Sequence, residues 1–231
     1  MNNANGVEKR GTPMRIAILA SGGGSNLQSV IEHFGVSPAK DAGTVVLVGS
    51  NRAESGALQR AKAAGIATYF IDDFNSGSAL LAALNAVEAE LLVLAGYLRL
   101  VPVEVVTAFS GRMLNVHPAL LPAFGGHGMY GKRVHEAVIA SGAKVSGVTV
   151  HFVNEIFDQG PIAAQWPVPV LSNDTSQTLA TRVLNVEHMF FPVVIEAVAA
   201  GTIKLDNSGR VQGTLPATSV FATNNPNLFL H

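Results

Sequence analysis

The sequence predicts an α/β fold in which a mostly parallel central sheet carries helices on both faces. From Met14 onward, short apolar runs such as RIAILA, TVVLVGS, ATYFID and LLVLAG alternate with helical segments, which is the order of repeated strand–helix–strand units. The run from Leu91 to Ala95 is apolar at every position, as expected for a strand that helices cover on both sides. A chain of 231 residues that is 48% hydrophobic can bury one sizeable core, so we expect one main domain.

The pattern predicts an apolar face for the first helix and a C-terminal end for the second. In the first helix, Leu27, Val30, Ile31 and Phe34 recur at helical spacing and form an apolar stripe that can pack against the sheet. The second helical segment is ESGALQRAKAAG, and Gly65 is expected to end it as a C-cap.

After Val145 the pattern changes to late antiparallel strands. VSGVTVHFVN and PIAAQWPVPV are separated only by EIFDQG, which indicates a hairpin or neighbouring strands. A long helix follows from about Thr175 to Ala200, with N-cap candidates in SNDTSQT and Gly201 after its end. The last stretch is polar and turn-rich, which predicts irregular structure with a short hairpin around Asn207 to Gly209. We therefore divide the chain into a disordered or extended leader (1–13), a domain (14–205) and an irregular tail (206–231).

Composition excludes several classes of function. Fifteen Lys and Arg against sixteen Asp and Glu leave a formal charge of -1, so the cationic field that nucleic-acid binding needs is missing. The absence of cysteine excludes disulfides and thiolate nucleophiles and suits the cytoplasm. The leader MNNANGVEKRGTP lacks a signal-peptide core, and no segment keeps about 18 apolar residues unbroken. We expect a soluble monomer or homodimer that acts on small molecules, with no nucleic-acid or membrane partner.

The first strand ends in a glycine-rich turn, and ligands of open parallel sheets collect at such strand ends. In ASGGGSNLQ, Gly22 to Gly24 leave room for backbone N–H groups to close around an anion, and the following helix adds its positive end. Leu27 stands where a dinucleotide motif has its third glycine, and no lysine follows as in a triphosphate loop. A phosphomonoester is the expected ligand; the alternative is a tight turn without a ligand.

The fourth apolar strand ends in LAGYLRLVP, where Arg99 stands among apolar residues. This combination could line a groove for a flat, partly apolar ligand with a carboxylate tail. An ordinary surface arginine with its stem packed on apolar neighbours is the alternative, and the pattern by itself favours it.

A further strand, in MLNVHPALLPAFGG, carries two polar side chains. Asn115 and His117 lie two residues apart and therefore point to the same side, while Val116 turns into the core. Two prolines then force the chain into the loop GGHGMYGKR, whose glycines would allow it to move as a lid. A histidine on a strand is often structural, but the paired asparagine and the strand-end position favour a functional role.

Asp158, in NEIFDQGPI, is the third candidate for this site. An aspartate at such a turn often caps its own backbone. If the fold brings it beside His117, its carboxylate is expected to raise the histidine pKa above the ordinary value of about 6.5. Asn115 and His117 would then donate hydrogen bonds to a developing oxyanion, while Asp158 sustains the charge or takes a proton through water. This chemistry needs no protein nucleophile and indicates transfer between two bound ligands.

The remaining histidines show no spacing typical of a metal site, so we predict no metal. His151 lies on a strand and can join the same site, and His127 belongs to the predicted lid. His33, His135 and His188 fall in helices, where histidines are usually structural or solvated.

Several separated blocks between about Arg15 and Gly201 carry a family resemblance. They are ASGGGSNLQ, SNRAESGALQRAKAAGIAT, LAGYLRL, NVHPALLP, TVHFVNEIFDQGPI and TRVLNVEHMFFP. In this order they resemble the phosphoribosylglycinamide formyltransferases, which are folate-dependent enzymes of purine synthesis. The resemblance implies a Rossmann-like formyltransferase fold. It also implies transfer of a formyl group from 10-formyltetrahydrofolate to the amine of glycinamide ribonucleotide.

The resemblance further implies site residues. Asn115, His117 and Asp158 match the family's catalytic trio. The residues that would bind the substrate's phosphate and ribose are Gly24, Ser25, Asn26 and the segment Leu184 to Glu187, especially Glu187. The residues that would border the folate are Leu98, Arg99, Leu100, Val101, Asn115 and the loop from Asn154 to Asp158 with Phe157.

Two departures from the family pattern affect what can be carried over. FNSGSALL has Gly77 where the family often has a basic residue, so a folate contact is either absent or supplied elsewhere. The lid FGGHGMYGKRVHEA, around residues 124–133, differs from the commoner FPG-type loop, and its substrate contacts are not inferred.

Three alternatives stay open beside the transferase. A formyltetrahydrofolate hydrolase would share the trio but normally has an N-terminal regulatory domain, whereas thirteen residues precede Met14. A methionyl-tRNA formyltransferase adds a basic C-terminal domain, for which the tail is too short. A non-catalytic folate- or phosphate-binding module would have no need for the Asn, His and Asp of the trio.

Overall fold

A seven-stranded sheet forms the centre of the computed structural model, which describes residues 11–36, 38–73 and 76–215. Its strands are β1 (Met14–Leu19), β2 (Gly43–Ser50), β3 (Ala67–Phe70), β4 (Leu91–Leu94), β5 (Met113–His117), β6 (Val145–Phe152) and β7 (Ile162–Pro169). The helices are α1 (Ser25–Phe34), α2 (Ala39–Ala42), α3 (Gly56–Ala63), α4 (Ser78–Ala86), α5 (Val103–Ala108), α6 (Lys132–Ser141) and α7 (Ser176–Ala199). A separate short hairpin consists of β8 (Lys204–Leu205) and β9 (Val211–Gln212).

The strand order is β3-β2-β1-β4-β5-β6-β7. β1 to β5 pair in parallel, whereas β6 runs antiparallel to β5 and β7 runs antiparallel to β6. Residues 153–161 are too few for the crossover of about a dozen residues that a parallel return needs, so β7 pairs back on β6. The predicted mostly parallel sheet with late antiparallel strands is confirmed.

Apolar side chains of β1 divide between two cores, one on each face of the sheet. Ile16 and Ile18 belong to the core that contains residues of α1, α3 and α7, whereas Ala17 and Leu19 belong to the core with residues of α4 and α5. This division follows from the two-residue repeat of a strand. Helices therefore cover both faces, as predicted, and all four residues of β4 are buried.

Helix ends agree with the sequence patterns except at one position. α1 buries most of the predicted stripe, and α7 lies between the caps Thr175 and Ala200. Gly65 is not the C-cap of α3: the cap is Ala64, and Gly65 follows it with a φ of 71°. A left-handed residue directly after the cap closes the helix, and glycine adopts that conformation without strain. The short α2 had no counterpart in the predicted pattern.

The polar C-terminal stretch contains the predicted hairpin, since β8 and β9 pair antiparallel around residues 206–210. This hairpin joins residues on the two sides of the boundary predicted at 205. The division into 1–13, 14–205 and 206–231 stays a prediction, and residues 1–10 and 216–231 lie outside the described residues. Among the helices described, none combines the length and apolarity needed to cross a bilayer.

The strand order reverses direction between β1 and β4, which is where open α/β sheets bind ligands. Two hydrogen bonds tie the loops after these strands together. Ser21 N donates to Gly96 O at 3.1 Å, and Leu98 N donates to Ser21 Oγ at 2.9 Å. The glycine-rich turn and the segment around Arg99 are therefore held side by side at the same edge of the sheet.

An ion pair holds the start of α7 in place. It should make the free energy of unfolding depend on pH. Arg182 donates two hydrogen bonds to Asp174, at 2.7 and 2.8 Å, and Leu171 N donates a third at 2.8 Å. The hydrogen bonds from Arg182, helped by that from Leu171, lower the pKa of Asp174 to about 2. Asp174→Asn is therefore expected to reduce the free energy of unfolding at pH 7 by about 1–2 kcal/mol.

The difference between wild type and Asp174→Asn should shrink as pH falls. A depressed carboxyl pKa stabilises the fold above the unfolded value near 3.8 and loses that effect as pH falls toward about 2. Urea unfolding at pH 7 and pH 3 measures this, and roughly half of the difference should remain at pH 3. Asp41→Asn, at an exposed position of α2, is the matched control. Equal midpoints for Asp174→Asn and wild type at pH 7 would contradict the assignment.

Candidate active site

A cavity of about 730 Å³ opens at the edge of the sheet where β1, β4 and β5 end. Its volume is within the range of small-molecule sites. Of the residues that the sequence assigned to a site, the turn from Gly22 to Ser25 does not line the cavity, and neither do Asn185 and Val186. Those that do are Asn26, Leu98, Arg99, Leu100, Val101, Asn115, His117, Asn154, Phe157, Asp158, Leu184 and Glu187.

Asn115, His117 and Asp158 meet in this cavity. β5 presents Asn115 and His117 on one side, and Asp158 comes from the loop between β6 and β7. Asp158 Oδ2 lies 3.6 Å from His117 Nδ1, and Asp158 Oδ1 lies 3.5 Å from Asn115 Nδ2. The sheet thus brings together the residues that the sequence hypothesis required to be neighbours; their catalytic roles stay a prediction.

One hydrogen bond of His117 determines which ring nitrogen lies beside Asp158. Nε2 donates to the carbonyl oxygen of Phe124 at 2.8 Å, so Nδ1 is the nitrogen next to Asp158. In the neutral ring Nδ1 carries no hydrogen, because the proton is on Nε2. His117 can therefore donate from Nδ1 only as the imidazolium.

The expected rise in the pKa of His117 is wrong. Burial of the ring lowers its pKa below the ordinary value, and the Asp158 carboxylate and the Phe124 carbonyl offset this only in part. The ring is 3% exposed, so the loss of hydration of the charged form outweighs the nearby negative charge. The direction of the pKa shift depends on how deeply the ring is buried, and the sequence pattern does not show this.

Asp158 holds the lid rather than capping its own turn. Its Oδ2 accepts a hydrogen bond from Gly126 N at 2.9 Å, and its backbone has a φ of 56°. Burial would raise the pKa of its carboxyl, but the neighbouring imidazoles of His151 and His117 and the Gly126 N–H outweigh it, so the pKa lies below the ordinary value. The carboxylate is ionised at neutral pH and joins Gly126 of the lid to His117 and Asn115.

His151 is a fourth member of this cluster. It lies opposite Asn115 across the β5–β6 ladder, which places both side chains on one face. Its Nδ1 donates to Phe152 O at 2.9 Å, and in that tautomer its Nε2 accepts from Asn115 Nδ2 at 3.1 Å. His151 therefore fixes the orientation of the Asn115 amide. The sequence placed His151 on a strand, but the strand register was needed to pair it with Asn115.

The α1–α7 side of the cavity is polar. Asn26 Nδ2 donates to Glu187 Oε2 at 2.6 Å, and both side chains are buried. Among the described residues, Asn26 Oδ1 has no hydrogen-bond partner. Burial raises the pKa of Glu187 to about 7, with the hydrogen bond from Asn26 acting in the opposite direction. This pair offers hydrogen-bonding groups to a hydroxyl-bearing ligand.

The opposite side of the cavity is apolar although it faces solvent. Large side chains there remain well exposed, including Leu100 at 55%, Val103 at 57% and Ile156 at 57%. Phe157 stacks edge-on against His127 of the lid, with ring centroids 5.9 Å apart. An exposed apolar patch at the mouth of a cavity indicates a ligand with an apolar, planar part.

Sequence reasoning underestimated one helical histidine and missed two backbone groups. His135, in the first turn of α6, is buried and lines the cavity. Burial lowers its pKa, and among the described residues its Nδ1 has no hydrogen-bond partner. The backbone groups are the Phe124 carbonyl and the Gly126 N–H, which carry no side-chain signal.

Gly77 does not line the cavity but packs against α5. Its N–H donates to Glu104 Oε1 at 2.7 Å, and a Cβ at this position would lie 2.5 Å from Glu104 Cγ. A side chain at position 77 would therefore have to displace Glu104.

Within the described residues, no group of three or more His, Asp or Glu side chains is arranged to hold a metal ion. The sequence prediction of no metal stays a prediction.

Comparisons with known proteins show the family and the fold. The family model described as formyl transferase matches residues 14–195. The chain is 44% identical over 202 residues to the chloroplastic phosphoribosylglycinamide formyltransferase of Arabidopsis thaliana, covering 84% of this chain and 68% of the relative. It is 36% identical to that of Escherichia coli K12, covering 87% and 94%. The crystal structure of the Anaplasma phagocytophilum enzyme superposes with a TM-score of 0.79 at 33% identity, covering 88% and 95%.

Proposed function

The chain belongs to the formyl transferase family, and on this premise we propose that it transfers a formyl group from 10-formyltetrahydrofolate to the primary amine of glycinamide ribonucleotide. The observation that carries the proposal is the meeting of Asn115, His117 and Asp158 in one cavity. The names of relatives that match most of the chain support the same reaction.

The amine nitrogen attacks the formyl carbon, and the carbonyl electrons move onto its oxygen. Asn115 donates to this oxyanion from Nδ2, replacing its long 3.5 Å contact with Asp158. Preorganised donors of this kind stabilise charge that develops in the transition state. His151 keeps the amide in place, since it accepts the other N–H of the same group.

The proton lost by the amine passes to the Asp158–His117 pair. Asp158 is ionised at neutral pH, and Nδ1 of the neutral His117 ring carries no hydrogen, so both groups can accept a proton. Once protonated, Nδ1 can donate to the oxyanion or to the departing folate nitrogen. Collapse of the intermediate breaks the bond to that nitrogen, which takes the proton, and gives the formylated amide and tetrahydrofolate.

The two sides of the cavity suit the two substrates. The ribonucleotide would place its ribose hydroxyls on Glu187 and Asn26, near Leu184. Its phosphate would extend beyond the cavity lining to the turn at Gly24 and Ser25, at the start of α1. The apolar side, with Leu98 to Val101, Asn154 and Phe157, would border the folate ring system. Holding both ligands in one cavity makes the reaction effectively intramolecular.

Consumption of 10-formyltetrahydrofolate with and without the amine tests the proposal. Transfer requires consumption that depends on glycinamide ribonucleotide and yields the formylated product in equal amount. Consumption that is independent of the amine would indicate a hydrolase. Binding without consumption would indicate a non-catalytic module, and either result contradicts the proposal.

For the compartment we propose the cytoplasm, which the absence of cysteine suits, although the Arabidopsis relative is named chloroplastic. For the assembly we propose a monomer or a homodimer. Sedimentation at several protein concentrations would distinguish these from larger assemblies.

A further inference from the structure

Helix α3 holds two consecutive carbonyl groups of the glycine-rich turn. Ala57 N donates to Gly22 O at 3.2 Å, and Arg60 Nε donates to Gly23 O at 2.8 Å. In a trans peptide the C=O and the following N–H point in opposite directions. The N–H groups of Gly23 and Gly24 are therefore directed away from α3.

The contact between α3 and this turn leaves no room for a side chain at Gly24 or Gly56. A Cβ on Gly24 would lie 2.8 Å from Ala57 Cα, and a Cβ on Gly56 would lie 2.8 Å from Gly23 O. The first turn of α3 is thus a rigid support behind the loop. Ala57 contributes through its backbone alone, so Arg60 is the side chain through which this support can be changed.

Arg60 also brings a positive charge to the start of α1. Its second hydrogen bond joins Nη1 to Gln28 Oε1 at 3.1 Å, which places the guanidinium beside the first turns of α1. That first turn has no acidic residue and no side-chain cap. The first N–H groups of a helix have no partner within the helix and can bind an anion. The positive end of the helix dipole adds to the charge of the guanidinium.

A second feature at the start of α1 indicates a ligand. Asn26, the second residue of α1, is only 9% exposed and lines the cavity. Among the described residues its Oδ1 lacks a hydrogen-bond partner. A buried acceptor without a partner is costly unless a ligand or water supplies a donor.

We propose that Arg60 is a positioning residue for the phosphate of the amine substrate, because it holds the Gly22–Gly24 turn with its N–H groups toward the phosphate and adds positive charge there. This inference rests on the proposed function, which supplies the phosphorylated substrate. Arg60 acts on binding of the phosphate and leaves the reacting formyl group untouched.

Steady-state kinetics of Arg60→Met test this with two amines, glycinamide ribonucleotide and its dephosphorylated riboside. For the ribonucleotide, KM should rise about tenfold with kcat nearly unchanged, since a charge-assisted hydrogen-bonding group is lost. For the riboside, the variant and wild type should have equal KM. Arg60→Lys keeps the charge without the guanidinium fork, so its KM for the ribonucleotide should be intermediate.

Lys62→Met is the matched control, because Lys62 is an exposed cation on the same helix. It should leave both KM values unchanged. An unchanged KM for the ribonucleotide in Arg60→Met, an equal rise for the riboside, or an equal rise in Lys62→Met would each overturn the inference.

Binding of ribose 5-phosphate separates this inference from the proposed function. In wild type, titration should shift the backbone amide resonances of Gly23 and Gly24, and the apparent affinity should fall about tenfold in Arg60→Met. If this holds while the wild type transfers no formyl group, the proposed function fails and the role of Arg60 stands. If both proteins bind ribose 5-phosphate equally, the role of Arg60 fails whatever the enzyme's activity.

Discussion

Asn115→Ala should slow formyl transfer in a single turnover by about two to three orders of magnitude, the usual effect of losing one oxyanion donor. The amide of Asn115 is held by His151 at 3.1 Å, so it needs no reorganisation when the oxyanion forms. The loss should appear in the rate of the chemical step. KM for either substrate should change little, because the interaction strengthens only in the transition state.

A surface amide provides the control for this variant. Asn85→Ala, at an exposed position of α4, should transfer formyl groups at the wild-type rate. If Asn115→Ala keeps a single-turnover rate within about threefold of wild type, its amide does not stabilise the transition state and the oxyanion assignment is wrong.

Asp158→Asn should reduce kcat by about two to four orders of magnitude, the range for loss of a positioned acid–base group. Asparagine keeps an oxygen that can accept the hydrogen bond from Gly126, now at 2.9 Å, so the lid contact should survive. What disappears is the negative charge beside His117. The variant therefore separates the proton chemistry of Asp158 from its structural contact.

The same substitution should also move the titration of His117. The Asp158 carboxylate raises the pKa of His117 against the larger lowering by burial, so its removal should lower that pKa further. An NMR titration of the imidazole should give a midpoint below 6.5 in wild type and a still lower one in Asp158→Asn. A wild-type kcat in the variant, or an unchanged His117 midpoint, would contradict the coupling of these two residues.

Local sequence patterns could predict where the site lies. Asn115 and His117 face one side of β5 because strand side chains alternate, which follows from the sequence alone. The glycine-rich turn and the segment around Arg99 are predictable for a similar reason, since each follows an apolar run at the same edge of a parallel sheet.

Contacts that depend on burial or on strand register could not be predicted in this way. The pKa of His117 falls because the ring is buried, and the Phe124 carbonyl that fixes its tautomer belongs to a loop without a regular pattern. His151 reaches Asn115 only through the β5–β6 register. The contact of Arg60 with Gly23 joins an ordinary surface position to the glycine-rich turn, and only the packing of α3 reveals it.

A structure of the ternary complex with the ribonucleotide and an unreactive formyl-folate analogue tests the central claim most directly. The account predicts the analogue's carbonyl oxygen about 3 Å from Asn115 Nδ2, with the amine beside Asp158 and His117 Nδ1. A carbonyl oxygen bound elsewhere in the cavity, out of hydrogen-bonding reach of Asn115 Nδ2, would contradict it.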